Sequence, residues 1–213
     1  MDPAAFVTVE LAPFLGPPGR AMDLAGGAGR HAIWLAERGW DTTMIEASEV
    51  AIALAGERAA EAGVNLRLLH NDLTTEMLPD GPWDLVLIIH YLQRNLFPTA
   101  IDRLATGGLL AFSIATIRNL ERRERPPLPF LLEEGEAPSL VEGLEVLYYE
   151  EGWSVEDRHE ARLVARSPWL AALTSDAAAP GPFLASALAR RASCACHRCG
   201  GPSPERSQSW RDR

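Results

Sequence analysis

A ten-residue run, Met22-Asp-Leu-Ala-Gly-Gly-Ala-Gly-Arg-His31, joins a short apolar segment to a stretch of helix formers. Gly27 and Gly29 allow positive φ and let a ligand approach the backbone closely. The free N–H groups and positive dipole end of the helix that follows suit a carboxylate or a phosphate. A strand-to-helix turn with no ligand uses the same glycines. Three acids narrow the choice. Asp23 lies inside the first strand, where a charge needs a partner because burying it alone is expensive. Glu46 ends the second strand, 17 residues after Gly29, where an acid can accept both hydroxyls of a ribose. Asp72 follows the third strand, where a carboxylate can accept from an adenine amino group. Singly, Asp72 also reads as a helix cap and Glu46 as a solvated strand end. Together they sit at or near the carboxyl ends of consecutive strands and outline one crevice, the place where open α/β sheets bind ligands.

Two ligands compete for that crevice. Gly27-Ala-Gly29-Arg-His-Ala32 fits G-x-G-x-x-A, the nicotinamide or flavin fingerprint. That ligand brings a pyrophosphate, which Asp23, four residues before Gly27, would repel. An ammonium group suits Asp23 better. S-adenosylmethionine carries an ammonium, a carboxylate, a ribose and an adenine, and each finds a complement here.

The sequence resembles the class I S-adenosylmethionine-dependent methyltransferases. Their first motif is an acid followed by three alternating glycines; here it reads Asp23-x-Ala25-x-Gly27-x-Gly29, with Ala25 in place of the first glycine. The run DLAGGAGRHAIWLAERGW looks most like the tellurite-resistance methyltransferase group. YLQRNLFP, and PFLLEEGE with VLYYEEG further on, are similar to the same group. The resemblance spans roughly residues 12–168. It implies a three-layer Rossmann-like α/β fold, with a mostly parallel seven-stranded sheet and an antiparallel terminal strand. It implies S-adenosylmethionine as cofactor, with Asp23, Gly27 and Gly29 near the methionine part, Glu46 on the ribose, and Asp72 with the Leu73 backbone on the adenine. Ala25, Arg30 and Ala47 complete the implied cofactor-binding set, and no metal ligands are implied. His90, Tyr91 and Arg94 are placed beside the transferable methyl as candidate catalytic residues; a satisfied strand-end histidine is the other reading of His90. Arg158 and His159 lie about where the tellurite group carries basic residues.

These side chains need a scaffold, and the chain alternates accordingly. Ala21–Ala25, Asp41–Ile45 and Asn65–His70 read as strands, with helices over Arg30–Arg38 and from Ser48 to Gly63. Leu85–Ile89 is an unbroken aliphatic run, as in a parallel strand covered on both faces. A helix over Phe97–Ala105, a strand over Leu109–Thr116 and an Arg- and Pro-rich connector over 117–129 follow. A short helix is expected within Phe130–Glu142. Leu144–Tyr149 and Glu160–Ala165 are too close for a helical crossover and should pair antiparallel. Residues 3–15 suggest a short leading helix, ended at Gly16-Pro17-Pro18-Gly19.

Of 213 residues, 47% are apolar and 23% charged, so wholesale disorder and fibrous repeats are excluded. No apolar run approaches a membrane span, and the first residues lack a basic leader, so a soluble cytoplasmic protein is expected. Lysine is absent. Up to Ser175, 14 Arg stand against 26 acids, net −12, and nucleic acid is a poor default partner for such a body. The connector residues Arg118, Arg122, Arg123 and Arg125 are its densest positive run. They read as a loop balanced by Glu121 and Glu124, or as an anion-recognition segment. Residues 1–168 form the expected domain. Residues 169–213, rich in Ala, Pro, Ser and Arg, read as a disordered tail. All three cysteines (Cys194, Cys196, Cys199) lie there in no common zinc spacing, so the body holds no thiolate metal site.

The function expected is methyl transfer from S-adenosylmethionine to a small molecule, with a soft nucleophile or an oxyanion such as tellurite as candidate acceptor. The alternatives are an NAD(P)-dependent Rossmann oxidoreductase and a non-catalytic S-adenosylmethionine-binding protein. Membrane partners are not expected, and the sequence leaves the oligomeric state open.

Overall fold

The computed structural model describes residues 2–168; the expected tail, 169–213, with its cysteines, lies outside the described residues. Seven strands form one sheet: β1 (Arg20–Leu24), β2 (Asp41–Glu46), β3 (Arg67–His70), β4 (Trp83–Ile89), β5 (Leu104–Ala115), β6 (Glu145–Trp153) and β7 (His159–Arg166). Their order is β3-β2-β1-β4-β5-β7-β6. The neighbours from β3 to β5 are parallel, and β7 runs antiparallel to both β5 and β6. This is the sheet that the sequence implies. The chain's last strand is inserted between β5 and β6, which leaves β6 at the edge.

The strand order reverses between β1 and β4. From β1 the chain winds outward through α1 (Arg30–Ala36) and α2 (Glu49–Glu61) to β3, then returns to β4 and goes the other way through α3 (Leu96–Asp102). The carboxyl ends of β1 and β4 therefore part company at one crevice, the switch point where such sheets take ligands. Ser48 caps α2 by accepting the Ala51 N–H at 3.3 Å.

Two cores sandwich the sheet. On one face Ala21, Leu85, Leu87, Ile89, Ala111 and Val164 pack against α1 and against residues 4–11. On the other, Met22, Leu24, Val86, Ile88 and Phe112 pack against α3 and residues 132–141. Phe97 of α3 meets Phe112 edge-on, with centroids 5.3 Å apart.

Three local expectations change. The leading helix is a π-helical turn at Phe6–Leu11 followed by a 3₁₀ turn at Ala12–Phe14, with Phe6, Val7 and Leu11 buried. The strand expected at 109–116 begins at Leu104, so α3 ends at Asp102. Its register against β4 shifts between Trp83 and Leu85, and a Cβ at Gly108 would lie 2.7 Å from the Trp83 carbonyl oxygen. Only glycine permits that approach, so Gly107-Gly108 is a kink inside a strand rather than a turn before one. Within Phe130–Glu142 the helix shrinks to a 3₁₀ turn at Ala137–Val141.

Candidate functional site

The turn after β1 is set by four small residues. Ala25, Gly27 and Gly29 have φ of 53°, 58° and 81°. The left-handed region costs a non-glycine residue about 1–2 kcal/mol, so Ala25 holds a strained position where the resembled motif has glycine. Gly29 is required by packing: a Cβ there would stand 2.9 Å from the Ala55 Cβ of α2. Its expected closeness to a ligand is therefore not needed to explain it. Gly26, which the motif leaves unassigned, is equally constrained, since a Cβ would meet Met44 Cγ at 2.4 Å and Asp23 Oδ2 at 2.9 Å. Gly27 faces open space, with nothing within 4 Å of a built Cβ. It is the turn's one uncommitted surface.

Asp23 lies beneath that turn and is 1% exposed. Neither carboxylate oxygen has a well-formed hydrogen bond. Burial pushes its pKa up to about 7, against the weaker opposing pull of the Ala32 N–H and the Arg30 guanidinium; the Glu46 charge raises it further. A buried acid left in this state is expensive, and a cation at the turn would relieve it. This orphaned carboxylate, the open side of Gly27 and the neighbouring acids fit the ammonium and ribose of S-adenosylmethionine.

Glu46 ends β2 with both oxygens engaged. Oε2 accepts the Gly27 N–H at 2.9 Å and Oε1 accepts the Ser48 N–H at 3.0 Å. It thus ties the glycine turn to the start of α2 and keeps further lone pairs for a ligand. The Ala47 carbonyl meets His70 Nε2 at 2.9 Å. Asp72 is exposed, and its Oδ1 accepts from both the Thr74 N–H (2.9 Å) and the Thr74 hydroxyl (2.6 Å). Those two donors hold its carboxyl below the usual range. Leu73 is buried beside it.

At the end of β4, His90 has φ of 58°, and its N–H donates to the Ser113 carbonyl at 2.8 Å. Its Nε2 lies 2.9 Å from Glu160 Oε1, and the Glu160 side chain is 3% exposed. The Ser113 hydroxyl donates to the other Glu160 oxygen at 2.9 Å. Burial alone would raise the Glu160 pKa, but the His90 imidazole beside it, the Ser113 donor and the Arg158 charge hold it below the usual range. Tyr91 donates to Gln93 Oε1, and Gln93 donates to the Leu73 carbonyl at 2.8 Å. Burial raises the Tyr91 pKa, and the charges of Asp72 and Glu46 add to it. Tyr91 therefore shares one electrostatic environment with the two acids.

Arg94 stands apart. Its guanidinium forks onto both oxygens of Glu136 and donates to the Leu131 carbonyl at 3.0 Å. That fork fastens the 131–136 loop to the start of α3. Three of the four connector arginines are similarly occupied. Arg118 pairs with Glu121, Arg122 pairs with Asp157 and stacks on Trp153, and Arg123 donates to the Glu156 and Asp157 carbonyls. His159 is buried, with Nδ1 2.7 Å from the Thr116 hydroxyl.

Glu160, Ser113, Gln93, Glu136 and Gly26 escaped the sequence reading. Glu160 carried a weak signal, as an acid at the start of a strand in which Leu163, Val164 and Ala165 are apolar. Ser113, Gln93 and Glu136 carried none, because their partners lie 20 or more residues away in sequence.

Among known proteins, residues 21–108 match the family model described as a methyltransferase domain. A ribosomal RNA small subunit methyltransferase C from Alcanivorax borkumensis is 36% identical over 106 residues, 45% of this chain. The chain spans about a third of that relative's length, 32%. The fold is shared with TehB from Haemophilus influenzae, at a TM-score of 0.65 and 20% identity, over 77% of this chain and 62% of that one. It is shared also with an S-adenosylmethionine-dependent methyltransferase from Methanosarcina mazei, at a TM-score of 0.60 and 15% identity, over 79% of this chain and 100% of that one.

Proposed function

We propose, for a chain whose residues 21–108 match a methyltransferase-domain family model, that it transfers the methyl group of S-adenosylmethionine to a small-molecule acceptor. The observation that carries this reading is Asp23, a buried carboxylate with two unsatisfied oxygens under a glycine turn. An ammonium answers it, whereas the pyrophosphate of NAD(P) would be repelled. Asp23 holds the methionine ammonium. Glu46, braced by the Gly27 and Ser48 amides, accepts the ribose hydroxyls, and Asp72 with the Leu73 backbone takes the adenine. Bound S-adenosylmethionine supplies an electrophilic methyl on a sulfonium. The protein's part is to hold the acceptor in line and keep water out.

His90 and Tyr91 border the acceptor. A soft acceptor such as tellurite needs no base, while an oxygen or nitrogen acceptor passes its proton to the His90–Glu160 pair. Arg94, bound to Glu136 and Leu131, acts as a positioning residue for the 131–136 loop. A ribosomal RNA acceptor is disfavoured by the net −12 of the body and by the pairing of Arg118, Arg122 and Arg123 with neighbouring acids and carbonyls.

The test is calorimetric titration with S-adenosylmethionine and with NADH, followed by a methyl-acceptor screen that includes tellurite and selenite. Binding of S-adenosylmethionine alone and turnover of an acceptor are expected. NADH binding without S-adenosylmethionine binding refutes the reading. Cofactor binding with no acceptor in a broad screen favours the non-catalytic alternative.

A further inference from the structure

The carboxyl end of β4 and the start of β7 bring His90 and Glu160 together, and the turn between β6 and β7 adds Glu156. One ligand atom from each of the three lies within 4.8 Å of the others. We propose that His90, Glu156 and Glu160 form a binding site for a divalent first-row transition-metal cation.

The geometry is that of ligands around a shared centre. Bonds of about 2.1 Å from nitrogen or carboxylate oxygen place neighbouring ligand atoms about 3.0 Å apart in an octahedron and about 3.4 Å apart in a tetrahedron. His90 Nε2 and Glu160 Oε1 are already 2.9 Å apart. At that distance a histidine N–H would ordinarily point at the oxygen. Here, despite that distance, neither atom makes a well-directed hydrogen bond. A carboxylate oxygen on a side chain 3% exposed is thus aimed at a point that the imidazole nitrogen also reaches, and neither is spent on the other. Glu156 is exposed on its turn and is free to close the remaining gap.

The supports are those a metal site uses. Ser113 donates to the second oxygen of Glu160 at 2.9 Å and fixes the carboxylate's orientation. His90 is fixed through its own backbone, by the 2.8 Å bond of its N–H to the Ser113 carbonyl. Arg123 grips the carbonyls of Glu156 and Asp157 and steadies the turn that carries the third ligand. The nearby cation Arg162 is met by Glu10 and Glu150 at 3.5 and 3.1 Å, so it does not claim the site's carboxylates. A cavity of about 170 Å³, lined by Phe6, Val9, Glu156, Glu160 and Arg162 among others, opens beside the cluster. It leaves room for water or another oxygen ligand to complete the coordination.

One imidazole and two carboxylates suit zinc or manganese, and they neutralise a divalent charge. The order of intrinsic affinities places zinc above manganese in such a set. This inference stands apart from the methyl-transfer reading, because it rests on the side chains of β4, β7 and their turn. With a cation bound, His90 and Glu160 serve as ligands rather than as a store for the acceptor's proton.

The test is titration of the full chain with zinc by calorimetry, and with manganese by electron paramagnetic resonance. Cys194, Cys196 and Cys199 are first replaced by serine, since free thiols would also take zinc. One ion per chain is expected, with zinc the tighter. Glu156→Gln lies on an exposed turn and should weaken zinc by about tenfold or more, the scale of even an indirect change at a metal site. His90→Asn keeps a side chain tolerant of positive φ and should weaken zinc further. Absence of one-to-one binding of either ion up to about 1 mM, where affinity is only about 4 kcal/mol, overturns the proposal and leaves a metal-free His–Glu pair. Unchanged zinc affinity in Glu156→Gln overturns it too, whether or not His90→Asn folds.

Discussion

Replacing Asp23 by asparagine should make the ligand-free protein more stable at pH 8 and leave it nearly unchanged at pH 4. Burial lifts the Asp23 pKa from 3.8 to about 7. Between those values the folded chain holds a proton that the unfolded chain has released. The folded state therefore binds more protons, and stability falls as pH rises through that window. Below about pH 4 the penalty is absent, and above about pH 7 it is complete. Three pH units at about 1.4 kcal/mol each put its size at about 4 kcal/mol, an upper figure. Asparagine keeps the shape and a buried polar group but never ionises, so it removes only the pH-dependent part. With a urea slope of about 2 kcal/mol/M, the midpoint of the variant should exceed the wild type by up to about 2 M at pH 8. The two midpoints should draw together as pH falls and converge near pH 4. The same substitution should weaken S-adenosylmethionine, because the charge that destabilises the empty protein is the one that meets the ammonium. For the wild type, affinity should rise with pH up to about 7, and for the variant it should not. A stability gap that is equal at pH 5 and pH 8 would refute the argument, since Asp23 would then ionise as an ordinary partnered acid.

Glu46→Gln, which preserves the acceptor to one amide but loses the charge, should reduce cofactor affinity by roughly 10- to 150-fold while the fold survives; unchanged calorimetric affinity would put the ribose elsewhere. Gly29→Ala combines a φ of 81° with a 2.9 Å approach to Ala55 Cβ and should cost about 2–4 kcal/mol in urea unfolding. Ala25→Gly relieves a left-handed alanine and should stabilise by about 0.5–1 kcal/mol after the greater entropy of unfolded glycine is counted; a loss of stability would deny the strain. Arg94→Ala should speed proteolysis within residues 131–136 and leave cofactor affinity unchanged, and a large affinity loss would return Arg94 to the binding site.

The sheet was legible because its signals are local. Five consecutive aliphatics at Leu85–Ile89 announce a strand covered on both faces, and the short span between the last two strands forces an antiparallel pair. The acid at the end of β2 was legible for the same reason: strand ends can be counted. What the chain does with those acids was less so. Glu46 serves the protein before any ligand, by holding two amides, and Asp72 closes a turn onto Thr74 with no helix following it, unlike its helix-cap reading. The arginine connector read either as a loop balanced by Glu121 and Glu124 or as an anion-recognition segment; Arg118 closes on Glu121, while Arg122 and Arg123 close on the β6–β7 turn. Arg122 and Arg123 meet acids and carbonyls more than 30 residues away, which no sequence window sees. The leading segment shows the same limit. Its weak periodicity fits no regular helix, but the sheet offers an apolar face beside α1, and Phe6, Val7 and Leu11 cover it in the conformation that buries all three. Ala4 then donates its N–H to His31 Nε2 at 3.3 Å. Burial drives the His31 pKa down to about 3, so the ring is neutral and can accept that bond. Residues 4–11, read alone as a poor helix, thus cover the apolar face of the sheet beside α1. That cover comes from a segment more than 20 residues before its partner His31, which residues 4–11 by themselves do not announce.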